Sequence, residues 1–299
     1  MRIVFMGTPE ISRKSLQRLY DEKHEIVGVF TGEDKRRGRG MTLSQSPVKE
    51  LALSERTPVY HPADLTRETV SGLKPDIIAV VAFGKILRKE ILDLPPLGCV
   101  NIHGSLLPKY RGAAPIQHAI LNGERESGVT SMYMAEGIDD GDMIFMRKTA
   151  ISSDETSGDL FSRLGDMGAE LLAETISAIE QGTAPRIPQN HDEATYAPML
   201  KKETAPIDFH SSMREIQCKV RAFIPWPVAT IEHGGRTVKV YGAEATDFFC
   251  EVPSGTIISE SERGIEIACS DGTVIITRLQ APGGKILSAA DYLRGCRKV

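Results

Sequence analysis

The sequence predicts an α/β chain in two domains, a doubly wound first domain around a mainly parallel sheet and a small antiparallel barrel or sandwich after it. Three observations carry that reading. At 299 residues the chain exceeds the usual size of one domain. Short apolar, β-branched runs alternate with helix-like stretches through the first half, at Ile3 to Met6, Glu25 to Phe30, Asp76 to Phe83, Cys99 to His103 and Val129 to Met134. Beyond about Asp208 the texture changes to short strand-like runs divided by glycine turns.

Taken in order, Gly7-Thr8-Pro9 ends the first strand, with Thr8 expected as N-cap and Pro9 at the first helical position. Ile11, Leu16, Leu19 and Tyr20 then form the apolar stripe of a helix. A long helix is expected from Thr156 to Gln181, opened by the capping pair Thr156 and Asp159 and closed by Gly182. Pro185 to Pro206 is polar, proline-rich and without period, so a linker is placed at 189–207 between a Rossmann-like domain, 1–188, and a second domain, 208–299. That domain opens with a helix from Met213 to Phe223. Turn signals follow at His233-Gly234-Gly235, Ser254-Gly255, Arg263-Gly264, Ser270-Asp271-Gly272 and Pro282-Gly283-Gly284.

Composition excludes several function classes. With 41% hydrophobic and 25% charged residues the chain is globular. The apolar run at the N-terminus stops at Gly7 and no window approaches a membrane span, so a soluble, cytoplasmic protein with no membrane partner is expected. The five cysteines, Cys99, Cys218, Cys250, Cys269 and Cys296, are scattered and form no C-x-x-C pair. A net charge of −4 repels polyanions at long range, so a nucleic-acid partner needs a local basic patch.

The candidate chemistry sits on the run Cys99 to His103. Residues two apart on a strand share a face, so Asn101 and His103 point together, near a carboxyl end where open α/β sheets bind ligands. The acidic loop Glu136-Gly137-Ile138-Asp139-Asp140-Gly141-Asp142 follows another strand; its acids can orient a histidine, hold a metal or be solvated. No second His or Cys lies at ligand spacing around His103, and no metal is expected. His118 reads as a helix-surface residue.

The run from Asn101 through Ser105-Leu106-Leu107-Pro108 and Tyr110-Arg111-Gly112 to Ile116 resembles the signature segment of folate-dependent formyltransferases, and Gly137 to Met143 is similar to their aspartate loop. Arg36-Arg37-Gly38-Arg39-Gly40 with Ser46 to Lys49 resembles the insertion loop of members that act on methionyl-tRNA. Arg221 to Pro227, Leu279 to Lys285 and Ser288 to Gly295 resemble the C-terminal OB-like barrel of those members. Phe83, Ala135 and Ile224 depart from common family residues, and none belongs to the Asn101, His103 and Asp139 set.

The resemblance implies Asn101, His103 and Asp139 as the catalytic set and 10-formyltetrahydrofolate as formyl donor, held by Ser105, Leu106, Leu107, Pro108, Phe83, Gly84 and Ile86. It implies initiator methionyl-tRNA as the acceptor, met by Arg36, Arg37, Arg39 and Lys49 and by the 208–299 barrel. A monomer is expected. In the implied chemistry an amine attacks the formyl carbon; Asn101 donates to the oxyanion, His103 moves the proton and Asp139 orients His103. The competing readings are formyl transfer to a small amine such as an amino-sugar nucleotide, formate release by hydrolysis, and a noncatalytic RNA-binding module. A nucleotide-binding protein with a doubly wound domain is disfavoured because Gly7-Thr8-Pro9 lacks the G-x-G-x-x-G turn.

Overall fold

The computed structural model describes residues 1–37, 42–246, 248 and 251–296. They form two compact units: Met1–Pro115 with Ser127–Thr149 and Phe161–Ala197, and Ile116–Glu126 with Ala150–Leu160 and Pro198–Val299.

The first unit is built on a seven-stranded sheet. Its strands are β1 (Arg2–Gly7), β2 (Glu25–Phe30), β5 (Val59–Tyr60), β6 (Ile77–Val81), β7 (Cys99–His103), β8 (Glu126–Tyr133) and β9 (Met143–Ala150). Their order across the sheet is β5-β2-β1-β6-β7-β8-β9. The first five run parallel, and β8 lies antiparallel to β7. The chain steps outward from β1 to β5, returns to β6, and steps outward again, which is the doubly wound order with its reversal beside β1. A small hairpin, β3 (Lys35–Arg37) and β4 (Thr42–Ser44), stands apart from this sheet.

Burial on both faces explains why these strands read as unbroken apolar runs. Val4, Met6, Ile78 and Val80 face a cluster with Phe30, Val70, Phe83 and Leu87, while their neighbours Ile3, Phe5, Ile77 and Ala79 are equally buried on the other side. The helices up to Glu180 are α1 (Glu10–Asp21), α2 (Pro47–Ser54), α3 (Arg67–Leu73) and α4 (Lys89–Leu92), then α5 (Pro115–Leu121), which belongs to the second unit from Ile116 on, and α6 (Ser157–Glu180), which belongs to the first from Phe161 on.

Two helix starts test the capping expectations. Thr8 is not the N-cap of α1: its Oγ1 accepts a hydrogen bond from the Gly32 amide at 3.0 Å, Pro9 takes the N-cap position, and the helix begins at Glu10. A contact to the next loop wins over the local cap. At α6 the expected pair forms reciprocally, Thr156 N donating to Asp159 Oδ2 at 3.1 Å and Asp159 N to Thr156 Oγ1 at 3.3 Å. The expected strand from Asp76 to Phe83 ends at Val81, because Ala82 turns the chain with φ +46°.

The second unit carries α7 (Met213–Ala222) and a six-stranded antiparallel sheet. Its strands are β10 (Thr230–His233), β11 (Arg236–Thr246), β12 (Ile257–Glu260), β13 (Ile265–Cys269), β14 (Gly272–Gln280) and β15 (Ile286–Ser288), and α8 (Ala289–Cys296) follows. The order is β10-β11-β14-β13-β12, with β15 pairing β14. Gly234 and Gly235, with φ +57° and +70°, make the two-residue turn between β10 and β11. The sheet curls so far that its end strands meet through side chains: His233 of β10 bonds Glu260 of β12 at 2.8 Å. The other ring nitrogen of His233 reaches Tyr292 of α8 at 2.9 Å, closing a half-barrel over the core of Ile216, Val240, Ile267, Ile276 and Leu279.

Residues 189–197, in the stretch read as a linker, pack within the first unit. Ile187 pairs with Met143, and Thr195 and Ala197 bond the backbone of Arg111. Among the described residues no helix is long and apolar enough to cross a membrane.

Candidate active site

β7 brings Asn101 and His103 to one face, as the period of a strand requires, with Val100 and Ile102 buried on the other. His103 is only 6% exposed. Its Nε2 lies 2.8 Å from the carbonyl oxygen of Tyr110, an acceptor only, so Nε2 carries the proton. Nδ1 then faces Asp139 Oδ2 at 3.5 Å and is the nitrogen left to gain or lose a proton. The carboxamide of Asn101 is partly exposed and has no hydrogen bond to a described residue, which leaves its donors available.

Asp139 comes from the loop between β8 and β9. Its φ of +50° is the left-handed region, and its Oδ2 accepts the amide of Gly112 at 2.8 Å. Of this loop's acids Asp139 faces the histidine, and among the described residues no group of His, Cys, Asp and Glu could hold a metal. Its neighbour Asp142 pairs instead with Arg186 at 3.5 Å, and the Arg186 guanidinium lies 3.7 Å over the ring of Tyr133.

The segment after β7 is braced from β8. Thr130, fully buried, donates to the Ser105 carbonyl at 2.7 Å and accepts from Leu107 N at 3.3 Å, while Ser105 Oγ donates to Lys109 O at 2.6 Å. Ser105 and Leu107 are therefore buried parts of the loop's frame, and Leu106 and Pro108 are its half-buried members. Phe83 is buried, Gly84 turns with φ +72°, and Ile86 is 79% exposed. Between Phe83 and Leu87 no backbone group bonds another described residue, so this edge is free to read a ligand. A cleft of about 450 Å³ borders it, lined in part by Leu65, Lys85, Ile86 and Arg88.

Sequence reasoning missed the residues that hold the set together. Arg111 is 2% exposed, and its Nε and Nη2 donate to Gln189 Oε1 at 3.1 and 2.7 Å. Gln189 Nε2 donates to the carbonyls of Asp139 and Gly141 at 2.9 and 2.8 Å. Thr195 Oγ1 accepts from Tyr110 N at 2.8 Å. Arg111 stands inside the signature segment but carried no role there, and the burial of Gln189 in the nominal linker has no signal in the sequence.

Of the four basic residues expected at an acceptor, Arg39 lies outside the described residues, and the side chains of Arg36 and Arg37 on β3 do too. Lys49 on α2 is bonded to both carboxylate oxygens of Asp34 at 2.9 Å, which ties the base of the hairpin. Its charge is already met. His118 on α5, the expected surface residue, bonds the carbonyl of Pro198 at 3.0 Å. Cys99, on the strand of the set, is inert: burial pushes its thiol up to about 12.

A buried histidine faces a carboxylate, beside a carboxamide with no hydrogen bond to a described residue, at the open end of a doubly wound sheet. The chain belongs to the formyl transferase family. The family pattern described as Formyl transferase matches residues 1–176, and that of the formyl transferase C-terminal domain matches 199–297. The chain is similar to the methionyl-tRNA formyltransferase of Clostridioides difficile (strain 630), 46% identical over 299 residues, covering 99% of this chain and 97% of that one. It is 44% identical over 300 residues to the enzyme of that name from Alkaliphilus oremlandii (strain OhILAs), covering 99% and 96%. Among solved structures, the sugar 3N-formyl transferase WlaRD, with dTDP and 5-N-formyl-THF, superposes with a TM-score of 0.71 at 22% identity, covering 94% of this chain and 97% of that one. Methionyl-tRNA formyltransferase from Clostridium thermocellum gives 0.60 at 20%, covering 90% and 99%. At those identities the structural likeness speaks for the fold.

Proposed function

We propose that the chain transfers the formyl group of 10-formyltetrahydrofolate to the amino group of initiator methionyl-tRNA, releasing tetrahydrofolate and N-formylmethionyl-tRNA, with Asn101, His103 and Asp139 as the catalytic residues. The observation that carries this reading is the placement of His103 between the Tyr110 carbonyl and the Asp139 carboxylate, with the free carboxamide of Asn101 on the same face. Identity of 43–46% to methionyl-tRNA formyltransferases over 99% of the chain supports tRNA as the acceptor.

The residues present fit the donor. A pterin needs apolar walls and a backbone edge, and Leu106 to Pro108 face that need together with Phe83, the unbonded backbone after it, and Ile86. Lys85 at the neighbouring cleft, which Arg88 and its ion-pair partner Glu90 also line with Glu33, suits a carboxylate of a folate tail. When bound, the donor supplies a formyl carbon open to attack and a nitrogen that leaves with a proton.

The amine of an aminoacyl ester is less basic than an ordinary α-amino group at about 7.7, so a neutral fraction exists without a strong base. Positioning then carries much of the rate. Asn101 Nδ2 donates to the oxygen that gains charge as the amine attacks the formyl carbon. His103 Nδ1 takes the proton the amine loses and returns it to the departing nitrogen, and the Asp139 carboxylate beside it orients the ring for both events. The 1–188 segment carries this chemistry, and 208–299 holds the tRNA with the hairpin loop containing Arg36, Arg37 and Arg39. The chain acts as a monomer, and its place is the cytoplasm where translation starts.

Asn101→Ala should lower kcat by about 10²–10³, the usual effect of removing one oxyanion donor, with folate affinity unchanged. Asp139→Ala should lower it as well. Wild-type turnover by either folded variant would sink the assignment.

A further inference from the structure

We propose that Gln189 is a positioning residue for the reaction, holding Asp139 in its working conformation from an anchor on Arg111. The proposal rests on the catalytic role of Asp139 given above and adds what keeps that residue in place.

Gln189 is 5% exposed and every hydrogen-bonding capacity of its carboxamide is filled. Both donors go to one loop, to the carbonyls of Asp139 and Gly141 on either side of Asp140. Both acceptor positions go to the Nε and Nη2 of Arg111. Asp139 sits in a loop with a φ of +50°, in the left-handed region, and the two bonds from Gln189 fix the backbone on either side of Asp140 there.

Arg111 is the fixed point. Its amide donates to Thr195 O at 2.8 Å and its carbonyl accepts from Ala197 N at 2.7 Å. Its guanidinium has no carboxylate partner among the described residues and rests on Gln189 and on His191 Nδ1, at 3.3 and 3.4 Å. A buried charge on Oε1 polarises the amide and strengthens the two bonds that its Nε2 donates to the loop. Three consecutive residues therefore assemble the site. Tyr110 O holds His103, Arg111 holds the Asp139 carbonyl through Gln189, and Gly112 N holds the Asp139 carboxylate.

The test uses full-length protein in single-turnover formyl transfer from 10-formyltetrahydrofolate to methionyl-tRNA. Gln189→Ala should lower the transfer rate ~10²-fold, the scale of an ångström of misplacement, while KM for both substrates stays within about threefold. Gln189→Glu keeps the Arg111 contact but sets a carboxylate oxygen against two carbonyls, so it should lose the same rate with its fold intact; it decides the matter if the alanine variant does not fold. In an Asp139→Ala background Gln189→Ala should add no further loss, because the residue it positions is gone, whereas a brace for the fold at large would multiply the defects. Rates within twofold of wild type for the Gln189 variants, or a multiplicative loss in the double variant, overturn the proposal alone. Wild-type rate in Asp139→Ala overturns the catalytic reading and this one with it.

Discussion

At Gly112 an added Cβ would sit 2.9 Å from the carbonyl oxygen of Ala197, in a backbone with φ +110°. The amide of this same residue holds the Asp139 carboxylate. Gly112→Ala is therefore expected to cost about 1–3 kcal/mol of stability and to lower turnover through a displaced Asp139. Thermal unfolding and kcat measured together check this, and a variant with wild-type values of both would contradict it. Legibility at this scale was uneven for physical reasons. Asn101 and His103 could be paired from sequence because a strand has a fixed period of two. Asp139 could not be told from Asp140 or Asp142 by pattern, since a loop has no period, and only the family resemblance singled it out. Arg111 and Gln189 meet across 78 residues, beyond the reach of any local signal.

Among the elements, the strands buried on both faces were read most faithfully, because such burial leaves a continuous apolar run; β9, half-exposed along Met143–Ala150, was not read. Helix starts were read less well, since a cap is one hydrogen bond and a tertiary contact outbids it, as Gly32 does at Thr8. The cap of α7 is complete: Ser212 Oγ accepts from Glu215 N, and Glu215 Oε2 accepts from Ser212 N at 2.7 Å. The Ser212 amide foremost, and the Ser212 hydroxyl at 2.7 Å, donate to the Glu215 carboxylate and hold it below its ordinary value of 4.5, as Thr156 holds Asp159 below 3.8. A carboxylate whose folded value is depressed contributes stability that is complete above its unfolded value and is lost as pH falls through the folded one. Glu215→Gln should thus flatten the decline of Tm below pH 4.5, relative to wild type, while changing its slope little at neutral pH. Parallel Tm curves for the two proteins across that range would contradict the cap.

For the whole molecule, a mainly parallel sheet and an antiparallel barrel or sandwich after it were legible in the sequence, as alternation and as spaced turns, while the choice of barrel came with the family resemblance. The closure of the half-barrel by His233, Glu260 and Tyr292 was not, because it depends on which strands end a sheet. A chain of net charge −4 must meet tRNA through local cations, and the Arg39 loop is the proposed meeting place. Arg39→Ala should raise KM for methionyl-tRNA and reduce its salt dependence by about one counterion, leaving folate affinity unchanged. An unchanged KM for tRNA across salt concentrations would remove the loop from that role. The central claim, formyl transfer to methionyl-tRNA, is tested most directly by offering the protein 10-formyltetrahydrofolate with charged initiator tRNA, an amino-sugar nucleotide and water as competing acceptors. The expected result is N-formylmethionyl-tRNA formed in step with tetrahydrofolate; formylated sugar, or free formate with the tRNA unmodified, would contradict it.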